Sequence, residues 1–404
     1  MKICIIGCGA AGGTAAQFAR KTNRNVEIVV YDREGYGQYS KCALPFVIGG
    51  MEWRCIIEFP PEWFRKNGIE YRKEEIHRVD LENGIVEGEK EEEFDKLIIA
   101  SGASPACPFE ANNAYSLRTL DDALAIREKA EKAKKVIIVG AGLIGMEVAE
   151  ALIKAGKDVK ILEYMPQILP GMLDKDVADY VMKKLSIDVI LNCRVKRVDG
   201  GTVEGSDCYE ADMSIIATGN KPNTFDGKAI EVNERCEVRE GVYAAGDCTI
   251  IKDFFGRSIA VGLGSIAARQ GKVAGSNAAG GDDALIPPVL AKTTKLFGIE
   301  IASVGLLGRE IDGIAARYLG RDLPHYMRGE EILVKVVADK DGVIVGCQAV
   351  GKGAAKIIDR MTLAIYNKMN VKDVARIENA YAPSVAPTFD AIEIACSMIE
   401  RKLK

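Results

Sequence analysis

Short apolar runs that end in glycine-rich turns recur along this chain. Residues 3–6 are apolar and lead into Gly7-Cys8-Gly9-Ala10-Ala11-Gly12, after which small residues continue through Arg20. A continuous apolar run is typical of a buried parallel strand. Residues 26–31, apolar except for Glu27, form a second strand-like segment, which ends at Asp32. The order strand, glycine turn, helix, strand and acid predicts a βαβ unit that binds a dinucleotide.

The same pattern occurs a second time. Residues 136–139 lead into Gly140-Ala141-Gly142-Leu143-Ile144-Gly145, followed by a helical stretch over 146–154 and a strand over 159–162 that ends at Glu163. Each copy closes with a related phrase, IIASGASP at 98–105 and IIATGNKP at 215–222. Four matched features in the same order indicate two copies of one dinucleotide-binding fold.

The remaining residues predict a return to the first unit and then a third unit. A phrase ending in Gly246-Asp247 precedes a small-residue helix over 263–277, and Pro287-Pro288 marks a boundary. Strands at 301–304, 332–338 and 343–349 and helices at 354–367 and 389–401 predict an α+β unit. We therefore expect an α/β protein with two Rossmann-like units, at 1–108 with 239–283 and at 109–238, and a C-terminal α+β unit at 284–404.

Composition excludes several classes of protein. The chain has 404 residues with a net charge of −4, so no basic surplus favours nucleic acid or an anionic membrane. We find no signal peptide and no apolar run of the roughly 18–20 residues that span a bilayer. Eleven cysteines without a Cys-x-x-Cys pair argue against a disulfide scaffold or a thiolate metal site and predict a reducing cytoplasm. His77 and His325 are the only histidines, and we interpret both as surface residues.

The glycines and acids have separate predicted roles. Gly7 allows the tight exit from the strand, Gly9 lets the backbone approach a pyrophosphate, and Gly12 lets helix and strand pack closely. Asp32 and Glu163 can each accept hydrogen bonds from an adenosine ribose. Glu163 would repel a 2′-phosphate, so we expect NADH over NADPH at the second unit. Lys157 and Lys160 can still hold a phosphate there, which leaves NADPH open.

These motifs together resemble the flavoprotein pyridine nucleotide–disulfide oxidoreductases along essentially the whole chain. The resemblance implies FAD at the first unit, NAD(P)H at the second, a homodimer through the third, and contact between Asp247 and the FAD ribityl chain. It also implies that the helix beginning near Gly264 points at the flavin. The cofactor-binding residues it implies are Gly7, Gly9, Ala10, Ala11, Gly12, Asp32, Ser101, Gly102, Gly140, Gly142, Ile144, Gly145, Glu163, Gly219, Gly246, Asp247, Gly264, Ser265 and Ala267.

Cys42 decides the branch of that family. Disulfide reductases such as glutathione reductase carry two cysteines five positions apart and a C-terminal His-Glu pair, and this chain has neither. The segment around Cys42 instead resembles the single-cysteine branch of coenzyme A disulfide reductases, NADH oxidases and persulfide reductases. NADH peroxidase has a histidine near the positions of Ala10 and Ala11, so peroxide is not the favoured substrate. A helix start after Cys42 and the neighbouring Lys41 are both expected to lower the pKa of its thiol.

The resemblance implies further substrate contacts. In the branch, the tyrosine matching Tyr381 of the Tyr-Ala-Pro phrase reaches the other subunit's active site, where it can donate a proton near the cysteine. Thr14, Phe18, Lys21, Gln38 and Lys41 match positions that hold coenzyme A. Phe389 stands where a basic residue is common, which argues against tight coenzyme A binding.

Three functions stay open on the sequence. The first is reduction of coenzyme A disulfide, or a related small disulfide or persulfide, by Cys42 and Tyr381. The second is an NADH oxidase that reduces oxygen to peroxide or water. The third, from another class, is a flavin-binding redox sensor or electron-transfer scaffold that binds NADH without turnover.

Overall fold

The first unit is built on a six-stranded sheet. The structure is a computed structural model that describes residues 1–403. Lys2–Ile6 lies between Glu27–Tyr31 and Lys96–Ile99, and all three strands are parallel. The chain returns to this sheet much later, when Val242–Ala244 pairs in parallel with Lys96–Ile99. The strand order is Glu237–Arg239, Val242–Ala244, Lys96–Ile99, Lys2–Ile6, Glu27–Tyr31 and Glu70–Arg72.

The second unit repeats this architecture with a five-stranded parallel sheet. Its strand order is Tyr115–Ser116, Met213–Ile216, Lys135–Val139, Asp158–Leu162 and Asp188–Ile190. The two closing phrases meet each other, because Ala103–Pro105 pairs antiparallel with Asn220–Pro222. The two nucleotide-binding units are therefore joined through equivalent segments.

The third unit is a five-stranded antiparallel sheet covered by helices. Its order is Lys292–Leu296, Ile299–Gly305, Ile344–Val350, Glu331–Ala338 and Ile314–Arg321. The first and last of these strands were not predicted. The predicted fold class, two Rossmann-like units and a C-terminal α+β unit, is confirmed.

Further small sheets complete the three units. They pair Gln38–Tyr39 with Ile57–Phe59; Arg78–Asp80 with Ile85–Glu87 and Glu91–Glu93; Glu110–Asn112 with Arg197–Asp199, Thr202–Glu204 and Cys208–Glu210; and Ile230–Glu231 with Thr249–Lys252 and Ser258–Ala260.

Ten α-helices lie within residues 1–403. They are α1 (Ala10–Thr22), α2 (Leu44–Ile48), α3 (Pro61–Lys66), α4 (Leu120–Lys132), α5 (Leu143–Lys154), α6 (Lys175–Met182), α7 (Gly264–Ala278), α8 (Ala354–Tyr366), α9 (Val371–Val374) and α10 (Ala391–Leu403). Within the same residues, no helix combines the length and apolarity that a membrane crossing needs.

Helices α1 and α7 cross at unusually close range. A side-chain carbon on Gly271 would overlap the carbonyl oxygen of Ala11, and one on Gly275 would overlap that of Ala15. Small residues on both helices therefore let the backbones touch. This contact holds the late helix α7 against the first glycine turn and so places its N-terminus over the site described next.

Candidate functional site

A large cavity runs between the two nucleotide-binding units. Its volume is about 1460 Å³, and both glycine turns and both strand-end acids, Asp32 and Glu163, contribute to its wall. In doubly wound folds the ligand lies outside the carboxyl ends of the strands, as this cavity does. Two separate dinucleotide motifs thus open into one continuous space.

The first glycine turn has the geometry that an approaching phosphate needs. Gly7 has φ +98°, and a side-chain carbon on Gly12 would overlap the Gly7 carbonyl oxygen, so α1 packs tightly on the first strand. Gly9 caps α1 without any side-chain hydrogen bond to the helix. The N-terminal backbone N–H groups of α1 therefore remain available to an anion.

Asp32 directly follows the strand Glu27–Tyr31 and is held in place by its neighbours. Its carboxylate accepts hydrogen bonds from the N–H groups of Glu34 (3.3 Å) and Gly35 (3.1 Å) and from the Tyr71 hydroxyl. Burial raises the pKa of Asp32 above its ordinary value. An oriented carboxyl group at this position is suited to a ribose hydroxyl.

The second glycine turn has the same backbone geometry as the first, and its strand-end acid also bonds to the turn itself. Gly140 has φ +110°, and a side-chain carbon on Gly145 would overlap the Gly140 carbonyl oxygen. Glu163 accepts hydrogen bonds from the backbone N–H of Ala141 (2.5 Å) and of Met165 (2.7 Å). The carboxylate is thereby fixed against its own glycine turn.

The two lysines expected near a 2′-phosphate lie elsewhere, so that expectation is wrong. Lys157 Nζ donates to the Ala133 carbonyl oxygen at 3.0 Å, at the opposite end of the strand. Lys160 is ion-paired with Asp188. Neither side chain lines the cavity.

Cys42 lies on the cavity wall, in a 3₁₀ turn over Lys41–Ala43 that precedes α2. Its side chain is exposed to the cavity. A side-chain carbon on Gly264, the first residue of α7, would lie 3.7 Å from Cys42 Sγ. The sulfur therefore faces the N-terminal end of a 15-residue helix that comes from a distant part of the chain.

The expected lowering of the pKa of the Cys42 thiol, by Lys41 and by the helix start, is wrong, because that pKa is raised. Lys41 Nζ pairs with Glu34 Oε1 at 2.6 Å, and Lys41 is not among the main charges that shift the Cys42 pKa. Desolvation by the cavity wall, with Glu147 and Asp247, raises the pKa of the Cys42 thiol, and Arg118 opposes this. All three of these charges lie far from Cys42 in the sequence, so the residues next to Cys42 do not reveal them.

Arg118 and Glu147 are site residues that sequence reasoning missed. Both line the cavity. Arg118 Nη2 donates to Asp247 Oδ2 at 2.7 Å, and both side chains are largely buried. Glu147 accepts a hydrogen bond from the Thr294 hydroxyl at 2.7 Å, and burial raises the pKa of its carboxyl. The only available signal was an Arg or Glu close to a motif, which is too common to single out.

Most of the sequence-predicted residues meet at this cavity. Those on its wall are Gly7, Gly9, Ala10, Ala11, Asp32, Gln38, Lys41, Cys42, Ser101, Gly102, Gly140, Gly142, Ile144, Glu163, Gly219, Gly246, Asp247, Gly264, Ser265 and Ala267. Gly12 and Gly145 lie behind the wall as packing positions. Thr14, Phe18 and Lys21 do not line it, and Lys21 Nζ instead lies 4.5 Å from the centre of the Phe18 ring.

Tyr381 also lies away from the cavity of its own chain. Its side chain is 52% exposed and hydrogen-bonds to Tyr326. Arg360 clamps the surrounding loop by donating to Asn379 Oδ1 (2.8 Å) and Asp390 Oδ2 (2.5 Å). The tyrosine is thus presented outward on a braced loop.

The structure also places Cys248, the two histidines and the residue types that bind metal ions. Cys248 is fully buried and donates weakly to backbone carbonyl oxygens, so it is structural. His77 lines the cavity with its side chain exposed, whereas His325 packs beside Tyr326. No cluster of three His, Cys, Asp or Glu suited to a metal ion occurs among the residues that the structure describes.

Comparisons with known proteins agree with this geometry. Residues 1–271 match the family profile described as pyridine nucleotide-disulphide oxidoreductase, and residues 291–391 match its dimerisation domain. An NADH oxidase of Methanocaldococcus jannaschii is 35% identical over all of this chain and 99% of its own length. A CoA-dependent NAD(P)H sulfur oxidoreductase of Pyrococcus abyssi is 34% identical over 98% of each chain. The solved NAD-dependent persulfide reductase from A. fulgidus is 29% identical, with a TM-score of 0.94 over 100% of this chain and 83% of that one.

Proposed function

The chain belongs to the pyridine nucleotide-disulphide oxidoreductase family, and we propose that it is an FAD-dependent NAD(P)H oxidoreductase whose single redox residue is Cys42. Its proposed substrate is coenzyme A disulfide or a related small disulfide or persulfide. The observation that carries this proposal is the position of Cys42 Sγ, which faces the first residue of α7 on the wall shared by both glycine turns.

The first unit fits FAD. The open backbone of Gly9 and the N-terminus of α1 suit a pyrophosphate, and Asp32 suits the adenosine ribose. Asp247 lines the same cavity as Cys42, and its carboxylate suits the hydroxyl groups of the ribityl chain. Gly264 and Ser265 at the start of α7 complete the wall beside Cys42. Bound FAD supplies the ring that accepts a hydride from NAD(P)H and passes on an electron pair.

The second unit fits NAD(P)H. No atom lies within 4 Å of a side-chain carbon built on Gly142, so the turn is open to a pyrophosphate. Glu163 is held rigidly by two backbone N–H groups at the adenosine end. Glu163, Glu147 and Cys42 all line the same cavity, so a dinucleotide bound at this unit shares one continuous space with the thiol.

Cys42 is proposed to perform a thiol–disulfide exchange. Its thiolate attacks one sulfur of the substrate, the substrate S–S bond breaks, one thiolate leaves and a mixed disulfide forms on Cys42. The electron pair from NAD(P)H then breaks that mixed disulfide, which releases the second thiolate and restores Cys42. In total, one disulfide, one NAD(P)H and one proton give two thiols and NAD(P)⁺.

Reduction of oxygen is the second candidate. A relative that is 35% identical is named NADH oxidase. In this reading the electron pair goes to oxygen and Cys42 is needed for water formation rather than for peroxide formation.

We also propose a homodimer through the C-terminal unit. Many of the large apolar side chains that a lone chain leaves exposed belong to this unit and its tyrosine loop, as expected for an interface. They include Leu319, Tyr326, Leu363, Ile377, Tyr381, Val385 and Phe389. In such a dimer Tyr381 would reach the partner's site and donate a proton to the leaving thiolate.

All eleven cysteines are free thiols. A reducing compartment keeps thiols in that form, so the cytoplasm is the proposed location.

The test compares Cys42→Ser with Cys55→Ser, which replaces another exposed cysteine outside the cavity. NADH consumption is followed with coenzyme A disulfide under nitrogen and with oxygen alone. We expect Cys42→Ser to lose disulfide turnover by at least about a hundredfold while Cys55→Ser keeps it. Full disulfide turnover by Cys42→Ser would refute the reductase. Oxygen turnover without any disulfide turnover in the wild type would instead support the oxidase.

A further inference from the structure

The segment that follows the edge strand of the second sheet is fastened to the strand-end acid. Glu163 N–H donates to the Ile190 carbonyl oxygen and Cys193 N–H donates to the Glu163 carbonyl oxygen, both at 2.8 Å. Asn192 N–H donates to the Met165 carbonyl oxygen at 3.2 Å, with Asn192 in the left-handed region at φ +56°. These bonds fix residues 191–194 beside Glu163.

Arg194 is the cation that this arrangement brings to the adenosine end of the cavity. It lines the cavity together with Glu163, Tyr164 and Met165, and it is exposed. Among residues 1–403, no carboxylate lies within 4 Å of its guanidinium and no side-chain hydrogen bond holds it. Its donors are therefore available to a ligand.

NADH and NADPH differ only at the 2′-oxygen of the adenosine ribose. NADPH carries a phosphate on the 2′-oxygen of the adenosine ribose, where NADH carries a hydroxyl. A carboxylate such as Glu163 accepts from the hydroxyl but repels the phosphate, unless a cation lies next to both. A guanidinium matches a phosphate with two parallel hydrogen bonds and stays charged at any relevant pH.

We propose that Arg194 is the specificity-determining residue that binds the 2′-phosphate of NADPH beside Glu163, so that the second unit accepts NADPH as well as NADH. This inference rests on the proposed function of that unit. It gives the two side chains separate tasks: Glu163 serves the ribose hydroxyl of NADH, and Arg194 offsets the charge of the additional phosphate.

The experiment uses the FAD-loaded enzyme and two variants that remove one positive charge each. Arg194→Gln removes the proposed ligand, and Lys196→Gln changes an exposed lysine two residues away that lies outside the cavity. The rate of flavin bleaching is measured anaerobically with NADH and with NADPH. Calorimetry measures the binding of 2′,5′-ADP and of 5′-AMP, which needs no turnover.

Arg194→Gln is expected to weaken 2′,5′-ADP binding and NADPH-dependent bleaching by on the order of tenfold or more, the value of a hydrogen bond to a charged group. Binding of 5′-AMP and bleaching by NADH should stay within about twofold, and Lys196→Gln should resemble the wild type. Equal losses for both nucleotides, or a wild type that reacts with NADH but not NADPH, would overturn the assignment. Failure of both nucleotides to bleach flavin would refute the proposed function instead, while 2′,5′-ADP binding still decides the role of Arg194.

Discussion

One buried carboxylate joins the second nucleotide-binding unit to the C-terminal unit. Asp174, at the start of α6, accepts hydrogen bonds from Lys335 Nζ (2.9 Å), Gln348 Nε2 (2.8 Å) and the Gly308 N–H (3.0 Å). Its side chain is only 7% exposed. Lys335 also pairs with Asp176 at 2.7 Å, but the Asp176 side chain is 43% exposed. Asp174→Ala and Asp176→Ala therefore form a matched pair.

The expected loss of folding stability follows from the hydrogen-bond donors that each substitution leaves without an acceptor. Asp174→Ala leaves the Gln348 amide and the Gly308 N–H without their acceptor, at about 1–3 kcal/mol each. It also breaks a buried ion pair from one side, for which about 3–5 kcal/mol is typical. Because Lys335 keeps Asp176, most of the ion-pair cost is avoided, and the two donors left without an acceptor set a total of about 4 kcal/mol. Asp176→Ala removes a half-exposed charge and should cost about 1 kcal/mol or less.

Differential scanning calorimetry of the FAD-loaded enzyme measures this difference. With an unfolding entropy of about 2.1 cal/mol/K per residue, 404 residues that unfold together shift by roughly 1 °C per kcal/mol. We expect Tm to fall by about 3–5 °C for Asp174→Ala and by about 1 °C for Asp176→Ala. Equal shifts for the two variants would refute the role given to the buried carboxylate.

The same pair has a predictable pH dependence. Burial alone raises the pKa of Asp174, but Lys335, Gln348 and Gly308 outweigh burial and hold the pKa below its ordinary value. A lowered folded-state pKa stabilises the protein above the unfolded pKa of about 3.9, and this stability is lost as pH falls through the folded value. The Tm difference between wild type and Asp174→Ala should therefore be full at neutral pH and narrow below about pH 4.

Two other structural assignments can be tested by single substitutions. Glu147→Gln should lower the pH at which Cys42 reacts with iodoacetamide and Arg118→Gln should raise it, because Glu147 raises and Arg118 lowers the pKa of the thiol; mass spectrometry of the Cys42 peptide measures the rate against pH. Gly275→Ala should lower Tm by a few degrees, since its added carbon meets the Ala15 carbonyl oxygen and overpacking costs about 1–3 kcal/mol.

Each of these tests has a control in the chain. Lys41→Gln should leave the Cys42 profile unchanged, because Lys41 pairs with Glu34, and a shift to higher pH would contradict that geometry. Gly171→Ala adds its carbon to open space and should leave Tm within about 1 °C. A Gly275→Ala protein as stable as Gly171→Ala would show that α1 and α7 are not in backbone contact.

The glycine turns and their strand-end acids were predictable because each motif is local. The pieces from Gly7 to Asp32 and from Gly140 to Glu163 are fixed by a strand, a turn and a helix that follow one another in the chain. The α+β class of the third unit was predictable, but the first and last strands of its sheet were missed. These strands, Lys292–Leu296 and Ile314–Arg321, carry charged residues that obscure the apolar pattern.

The charges around the site were less predictable, because side-chain direction depends on distant partners. Because Lys41 is next to Cys42 in the sequence, it was predicted to act on the thiol, but its ammonium group forms an ion pair with Glu34 instead. Lys160 likewise pairs with Asp188 on the adjacent strand. Arg194 reaches the cavity only because backbone hydrogen bonds join its segment to Glu163, and a single sequence gives no sign of that pairing.

The late return of the chain to its first sheet also has a consequence for biosynthesis. Helix α1 emerges from the ribosome early, whereas its partner α7 and the strand Val242–Ala244 are translated only after the entire second unit. The second unit is contiguous and can fold as soon as it is made, but the first must wait with an apolar helix face uncovered. The nascent protein thus completes its second nucleotide-binding unit before its first, and chaperone demand should peak between the two.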